Sequence, residues 1–118
     1  MTKFKTKKQN PHFENVMDVH PEEVSETAAT LQIIDVRQPD EYTGELGHIN
    51  DSELLVLDTL PEKLNRLSKS KTVVFVCRSG GRSARAADFA FHQGFTDVYN
   101  MEGGMLFWNQ LGLPLATK

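Results

Sequence analysis

Short apolar runs alternate with amphipathic segments along most of the chain. Residues 31–36 (LQIIDV) and 72–76 (TVVFV) are apolar on both alternating faces and rich in β-branched side chains, as expected of strands buried on both sides. Shorter strand candidates are residues 15–19, 54–57 and 97–100. Because strands buried on both faces are typical of parallel sheets, we predict a sheet covered by helices on both sides.

Helical signals fall between these runs. Pro21 is followed by two glutamates, which favours the start of a helix, and Leu60, Leu64 and Leu67 line one face of another. The alternation predicts parallel strands joined by right-handed helical crossovers, hence an α/β, three-layer domain with a central, mainly parallel sheet of about five strands. Binding sites in such sheets lie beyond the carboxyl ends of the strands. The predicted helices are residues 21–29, 59–67, 83–93 and 105–111.

Composition limits the size and the partners of this domain. The chain has 118 residues, of which 39% are hydrophobic and 25% charged, enough for one globular domain. Its net charge of −3 provides no positive field for nucleic acid. No segment approaches the roughly 20 apolar residues of a membrane span, and the first ten residues lack an apolar secretory run. We therefore expect a cytoplasmic protein without a nucleic-acid or membrane partner.

The amino-terminal segment differs in charge from the rest. Lys3, Lys5, Lys7 and Lys8 fall within the first eight residues, which contain no acidic side chain. Low apolarity there predicts a frayed end, although contact with an acidic partner stays open. We place a flexible basic lead at residues 1–14 and the domain at residues 15–118.

A single cysteine, Cys77, is the most informative residue. One cysteine forms neither an intramolecular disulfide nor a cysteine-rich metal site. The four histidines have no metal-ligand spacing, so we predict no metal and no cofactor. The histidines are His12, His20, His48 and His92.

The sequence around Cys77 favours a nucleophile over an inert buried cysteine. It reads CRSGGRS over residues 77–83, between the strand at 72–76 and the helix at 83–93. Two glycines allow the backbone to turn its N–H groups inward as an anion-binding cup, and the helix adds its positive amino end. Two arginines add positive charge, so a thiolate is favoured. The loop residues beside Cys77 are Arg78, Ser79, Gly80, Gly81 and Arg82.

Loop length bears on the group that this cup would hold. Cysteine phosphatases and their relatives place an arginine six positions after the cysteine, to surround a tetrahedral oxyanion. Here Ser83 occupies that position and Arg82 lies five positions after Cys77. The shorter loop favours a smaller group, such as one sulfur atom carried as a persulfide. A phosphatase or arsenate reductase remains an alternative.

Three motifs together resemble the single-domain rhodanese family of thiosulfate sulfurtransferases. They are IIDVR at residues 33–37, CRSGGRS at 77–83 and EGGMLFW at 102–108, and the similarity spans roughly residues 16–114. One departure is GHINDSELL at residues 47–55, where the family usually has a small Gly-Ala pair and a later proline. We expect a different turn in that segment.

The resemblance implies transfer of sulfur in two half-reactions. The Cys77 thiolate would take a sulfane sulfur from thiosulfate or a similar anionic donor, and the amides of residues 78–82 would hold the persulfide. A thiol, cyanide or a protein acceptor would then remove the sulfur. A non-catalytic sulfur-sensing or docking module is the remaining alternative, although such domains often lack the cysteine.

Supporting roles are expected for residues around the loop. Arg82 would either steer the donor or act as a structural clasp that shapes the loop. Asp35 and Arg37 lie at the end of a neighbouring strand, and we expect an ion pair that braces the site. Ser83 offers a hydroxyl near the sulfur but equally suits a helix cap. His48 is interpreted as a turn-stabilising residue rather than a general base.

Overall fold

The computed structural model describes residues 4–116, in which six strands form one sheet flanked by helices. The strand order is β1-β2-β6-β5-β3-β4, and neighbouring strands are parallel except β1 and β2, which are antiparallel. The strands are β1 (Lys8–Gln9), β2 (Met17–Val19), β3 (Leu31–Asp35), β4 (Glu53–Leu54), β5 (Thr72–Val76) and β6 (Val98–Met101). The helices are α1 (Pro21–Thr27), α2 (Pro39–Tyr42), α3 (Leu60–Lys63), α4 (Gly81–His92) and α5 (Gly104–Gln110). Short 3-10 turns follow α1 and flank α3.

Both faces of the sheet are covered by apolar side chains, as predicted. On strand β5, Val73 and Phe75 pack with the alanines of α4, whereas Val74 and Val76 pack with Trp108 of α5 on the opposite face. Every residue of β5 is buried because the strand lies inside the sheet with a helical layer on each side. The three-layer, mainly parallel α/β fold is thus confirmed.

The sheet has six strands rather than about five, and the additional strand comes from the segment predicted to be a flexible lead. Strand β1 pairs with β2 at the sheet edge, with Lys8 opposite Asp18. The Phe4 side chain is 5% exposed and its ring meets that of Tyr99 edge to face, with centroids 4.9 Å apart. The described part of the lead therefore packs on the domain. A two-residue strand has no periodicity to detect, and residues 1–3 lie outside the described part.

The carboxyl ends of the parallel strands lie together at one edge of the sheet. Cys77 follows β5 directly, Asp35 ends β3, and Asn100 lies near the end of β6. The loop after Cys77 leads straight into α4, the longest helix. Among residues 4–116, no helix has the length and apolarity required to cross a membrane.

Candidate active site

The Cys77 sulfur lies at the bottom of a tight loop and is buried, with the residue 1% exposed. The backbone N–H of Gly80 donates to Cys77 Sγ at 3.1 Å. Gly80 is the N-cap of α4 and has a φ of +106°, in the left-handed region that favours glycine. This turn directs an amide at the sulfur and places the amino end of a 12-residue helix beside it. Both features favour an anionic sulfur.

A second polar contact to the sulfur comes from Ser83 in the first turn of α4. Its Oγ lies 3.2 Å from Cys77 Sγ, and the residue is fully buried. Helix α4 begins after the N-cap Gly80, and Ser83 is not the cap. The hydroxyl therefore contacts the sulfur instead of the first amides of the helix.

The start of α5 supports the loop from behind. The backbone N–H groups of Met105 and Leu106 donate to the carbonyls of Cys77 and Arg78 at 2.9 and 3.0 Å. Gly104 has a φ of +58°, and a Cβ there would lie 2.5 Å from both carbonyl oxygens. The close approach requires glycine, which explains the Gly-Gly pair of the third motif.

Arg82 is held by a carboxylate from a different helix. Its two terminal nitrogens donate to the Glu41 carboxylate at 2.7 and 2.8 Å. This bidentate bond lowers the pKa of Glu41 to about 2 and raises the pKa of Arg82 above its usual value. Glu41 also accepts from the backbone N–H of Gln38 in the capping box of α2. The contact joins α2 to the first turn of α4, beside the sulfur loop.

Asp35 and Arg37 form a buried ion pair at the end of β3. The Arg37 guanidinium donates to the Asp35 carboxylate at 2.8 to 3.1 Å, and both side chains are 1% exposed. Arg37 Nη2 also donates to the Gly47 carbonyl at 2.7 Å. The pair therefore holds the atypical segment after Gly47 against the strand end.

Arg78 and Ser79 lie at the exposed mouth of the loop. Arg78 borders a small cavity of about 180 Å³ together with Arg37 and Glu41. Within the part of the chain that the structure describes, no carboxylate pairs with Arg78. Its charge is thus available to an anion arriving at the loop. Within the same residues, no cluster of three or more His, Cys, Asp or Glu side chains could hold a metal.

Three further residues belong to the site that the sequence interpretation did not include. Glu41 is the ion-pair partner of Arg82. Asn100 and Asp18 form a buried chain of hydrogen bonds with Ser83. Polar residues within short strands were the available signal for Asn100 and Asp18. The PDEY sequence at residues 39–42 was the signal for a helix bearing Glu41.

His48 contacts Tyr42 in the turn after α2 rather than the Cys77 sulfur. Its Nδ1 lies 2.9 Å from the Tyr42 carbonyl, and its ring stacks on that of Tyr42 with centroids 3.8 Å apart. Tyr42 in turn donates its hydroxyl to the Ser52 carbonyl. These contacts join the end of α2 to the segment that departs from the family pattern.

Comparison with known proteins shows the family to which this chain belongs. The sequence profile of the rhodanese-like domain matches residues 20–111, which include the sulfur loop, Glu41 and both supporting motifs. The chain belongs to the rhodanese-like family. Its rhodanese-like domain is 32% identical over 105 residues to a sulfurtransferase of Allochromatium vinosum, covering 86% of this chain and 96% of that protein.

Other rhodanese-like proteins are similar over two thirds or more of this chain. The thiosulfate sulfurtransferase GlpE of Pseudomonas paraeruginosa is 32% identical over 80 residues, covering 68% of this chain and 71% of GlpE. The crystal structure of a rhodanese-related protein from Thermoplasma volcanium matches with a TM-score of 0.79 at 28% identity. That match covers 86% of this chain and 98% of the other. The rhodanese-like domain of this chain is therefore similar to sulfurtransferases along most of its length.

Proposed function

We propose that this protein transfers a sulfane sulfur from thiosulfate or a similar donor, through a persulfide on Cys77, to an external acceptor. The observation that carries the proposal is the contact to the sulfur from the Gly80 amide at 3.1 Å, at the amino end of α4. An anionic sulfur is stabilised by such amides and by a helix amino end.

In the first half-reaction, the Cys77 thiolate attacks the outer sulfur of the donor. A new S–S bond forms on the enzyme, the S–S bond of thiosulfate breaks, and sulfite leaves with the electron pair. The terminal sulfur of the persulfide then carries the negative charge. The amides of residues 78–82 would hold that charge, and the Gly80 amide already points to the cysteine sulfur.

In the second half-reaction, an acceptor attacks the terminal sulfur. The bond between the two sulfurs of the persulfide breaks, the transferred sulfur leaves on the acceptor, and Cys77 returns as a thiolate. Because the chain holds one cysteine, the acceptor has to come from outside this chain. A small thiol, cyanide or the cysteine of a protein partner meets this requirement.

Donor binding is assigned mainly to Arg78 in this proposal. Its exposed guanidinium lies in the loop itself and has no ion-pair partner among residues 4–116. Arg82 is neutralised by Glu41 and is assigned the structural role. Ser79, Gly80 and Gly81 complete the wall of the loop. The doubly charged thiosulfate suits this arrangement better than a neutral donor.

A single-turnover experiment tests the proposal against its alternatives. Stoichiometric protein is mixed with a panel of sulfane donors, and sulfite release is measured for wild type and Cys77→Ser. We expect one equivalent of sulfite from thiosulfate with wild type and none with the variant. Turnover of a phenyl phosphate without sulfite release would support a phosphatase instead. Partner binding that survives Cys77→Ser, without sulfite release by wild type, would support a docking module. A cytoplasmic location stays a prediction.

A further inference from the structure

A chain of buried polar side chains leads from the cysteine sulfur towards the sheet edge. Ser83 Oγ lies 3.2 Å from Cys77 Sγ and 2.5 Å from Asn100 Oδ1. The Asn100 amide donates to Asp18 Oδ1 at 2.9 Å. Ser83 is 0% exposed, Asn100 2% and Asp18 7%. We call Ser83, Asn100 and Asp18 the relay.

The carboxylate of Asp18 determines which way the Asn100 amide faces. An ionised carboxylate only accepts hydrogen bonds, so the Asn100 NH₂ group has to face Asp18 and its carbonyl has to face Ser83. The same Asp18 oxygen accepts a second amide, from Asn10 Nδ2 at 2.9 Å. Asn10 is itself oriented, because its own oxygen accepts the backbone N–H groups of His12 and Phe13. Rotation of the Asn100 amide would therefore break the bond to Asp18.

The fixed amide sets up a competition for one proton. A serine hydroxyl has a single proton to donate, and two acceptors face Ser83. The Asn100 oxygen is the nearer acceptor, at 2.5 Å against 3.2 Å for the Cys77 sulfur, and it accepts more strongly than the sulfur of a neutral thiol. When the Ser83 hydroxyl donates its proton to Asn100, the lone pairs of its oxygen face the Cys77 sulfur. That arrangement suits a protonated thiol, which donates to Ser83, and it withholds a donor from a thiolate.

We propose that Asn100, oriented by Asp18, is a positioning residue that keeps the Ser83 proton away from Cys77 and thereby restrains ionisation of the empty nucleophile. The functional meaning of this arrangement rests on the proposed sulfur transfer. In a persulfide the charge lies on the terminal sulfur rather than on the Cys77 sulfur that Ser83 contacts. The relay thus disfavours the empty thiolate more than it disfavours the persulfide.

Other charges near the sulfur do not depend on the relay. Arg82 interacts electrostatically with Cys77 and is bonded to Glu41. Outside the relay, to which Asp18 on β2 belongs, the remaining charged groups at this edge are Arg78 of the loop and the Asp35–Arg37 pair at the end of β3. A substitution at Asn100 removes none of these groups, so a change that depends on Ser83 reports the relay itself.

The test is the pH dependence of Cys77 alkylation in the full chain, measured with iodoacetamide for wild type, Asn100→Leu, Ser83→Ala and the double variant. Leucine has nearly the shape of asparagine but does not accept the Ser83 proton. We expect Asn100→Leu to move the midpoint of the alkylation curve about one pH unit lower, as expected for one hydrogen bond to a charged group. Ser83→Ala should leave it unchanged or move it lower, because the wild-type Ser83 hydroxyl accepts from the thiol rather than donating to the thiolate, and Asn100→Leu should have no effect when Ser83 is already alanine.

Two results for Asn100→Leu would overturn the relay. One is an unchanged midpoint in Asn100→Leu, and the other is an equal shift in the presence and absence of the Ser83 hydroxyl. Asn10→Leu is the matched control, because it removes the second amide from Asp18 but leaves the acceptor of Ser83 in place. A shift there as large as that of Asn100→Leu would assign the effect to Asp18 alone and contradict the proposal.

Folding of each variant is checked by circular dichroism, and Asn100→Ala, with the same expected shift, replaces Asn100→Leu if the latter does not fold. Alkylation requires no sulfur donor, so its outcome is independent of transferase activity. A relay that fails this test leaves the sulfur transfer standing. A protein that transfers no sulfur can still show the Ser83-dependent shift.

Discussion

Removal of the clasp between Glu41 and Arg82 should destabilise the protein in a pH-dependent manner. The fall in the pKa of Glu41 from its usual 4.5 to about 2 corresponds to about 3 kcal/mol at 1.36 kcal/mol for each pKa unit. The two side chains are 28% and 37% exposed, so solvent screening reduces the expected contribution to about 1–2 kcal/mol. Glu41→Gln should lower the free energy of unfolding by that amount at pH 7.

The direction of the pH effect follows from the lowered pKa. Glu41 is ionised and paired in the folded protein down to about pH 2, whereas in the unfolded chain it takes up a proton near pH 4.5. Its contribution is therefore complete above pH 4.5 and is lost as the pH falls towards 2. The difference between wild type and Glu41→Gln should shrink over this range.

Urea unfolding followed by circular dichroism between pH 7 and pH 3 measures this difference. Glu45→Gln is the matched control, because Glu45 is exposed, lies near α2 and has no ion-pair partner among residues 4–116. The control should be as stable as wild type at each pH. The reasoning fails if Glu41→Gln matches Glu45→Gln at pH 7, or if its deficit is as large at pH 3 as at pH 7.

Three further substitutions test the other supports of the site. Gly104→Ala would place a Cβ 2.5 Å from two loop carbonyls, so we expect at least about 2 kcal/mol lost in urea unfolding. Gly112→Ala, with a φ of +68° but no atom within 4 Å, should cost only backbone strain, about 1 kcal/mol; equal losses would contradict the steric argument. Asp35→Asn should cost about 3–5 kcal/mol in the same assay, since it leaves a buried Arg37 without its charge partner; a loss below 1 kcal/mol would count against a structural brace. Arg78→Gln should raise the KM for thiosulfate several-fold in steady-state sulfite assays and weaken its dependence on salt, and an unchanged KM would remove Arg78 from donor binding.

Local sequence was sufficient for the central part of the fold. Strand β5 has the predicted bounds, because a threonine followed by four β-branched or aromatic apolar residues favours a strand inside a sheet. Helix α4 begins at Gly81, two residues before the prediction, since Gly80 serves as its N-cap. Helix α2 and strand β1 were not predicted. With four and two residues, they are too short to show periodicity, and contacts with the rest of the domain stabilise them.

Contacts within the site between residues close in sequence could be predicted, whereas contacts between distant residues could not. The sulfur loop could be predicted because its cysteine, glycines and helix start are consecutive, and the Asp35–Arg37 pair joins residues two positions apart. The partner of Arg82 lies 41 positions away, and Asn100 is 82 positions from Asp18. Such pairings depend on the order of strands in the sheet. The order of the strands cannot be read from local sequence, so these pairings could not be predicted.

The central claim is that Cys77 carries and releases a sulfur atom, and the mass of the peptide containing Cys77 tests it most directly. The purified protein is treated with thiosulfate, digested without reductant and analysed by mass spectrometry, before and after addition of cyanide. We predict a gain of one sulfur atom on that peptide, its loss with cyanide, and no gain in Cys77→Ser. A peptide of unchanged mass after exposure to thiosulfate and to other sulfane donors would contradict the account.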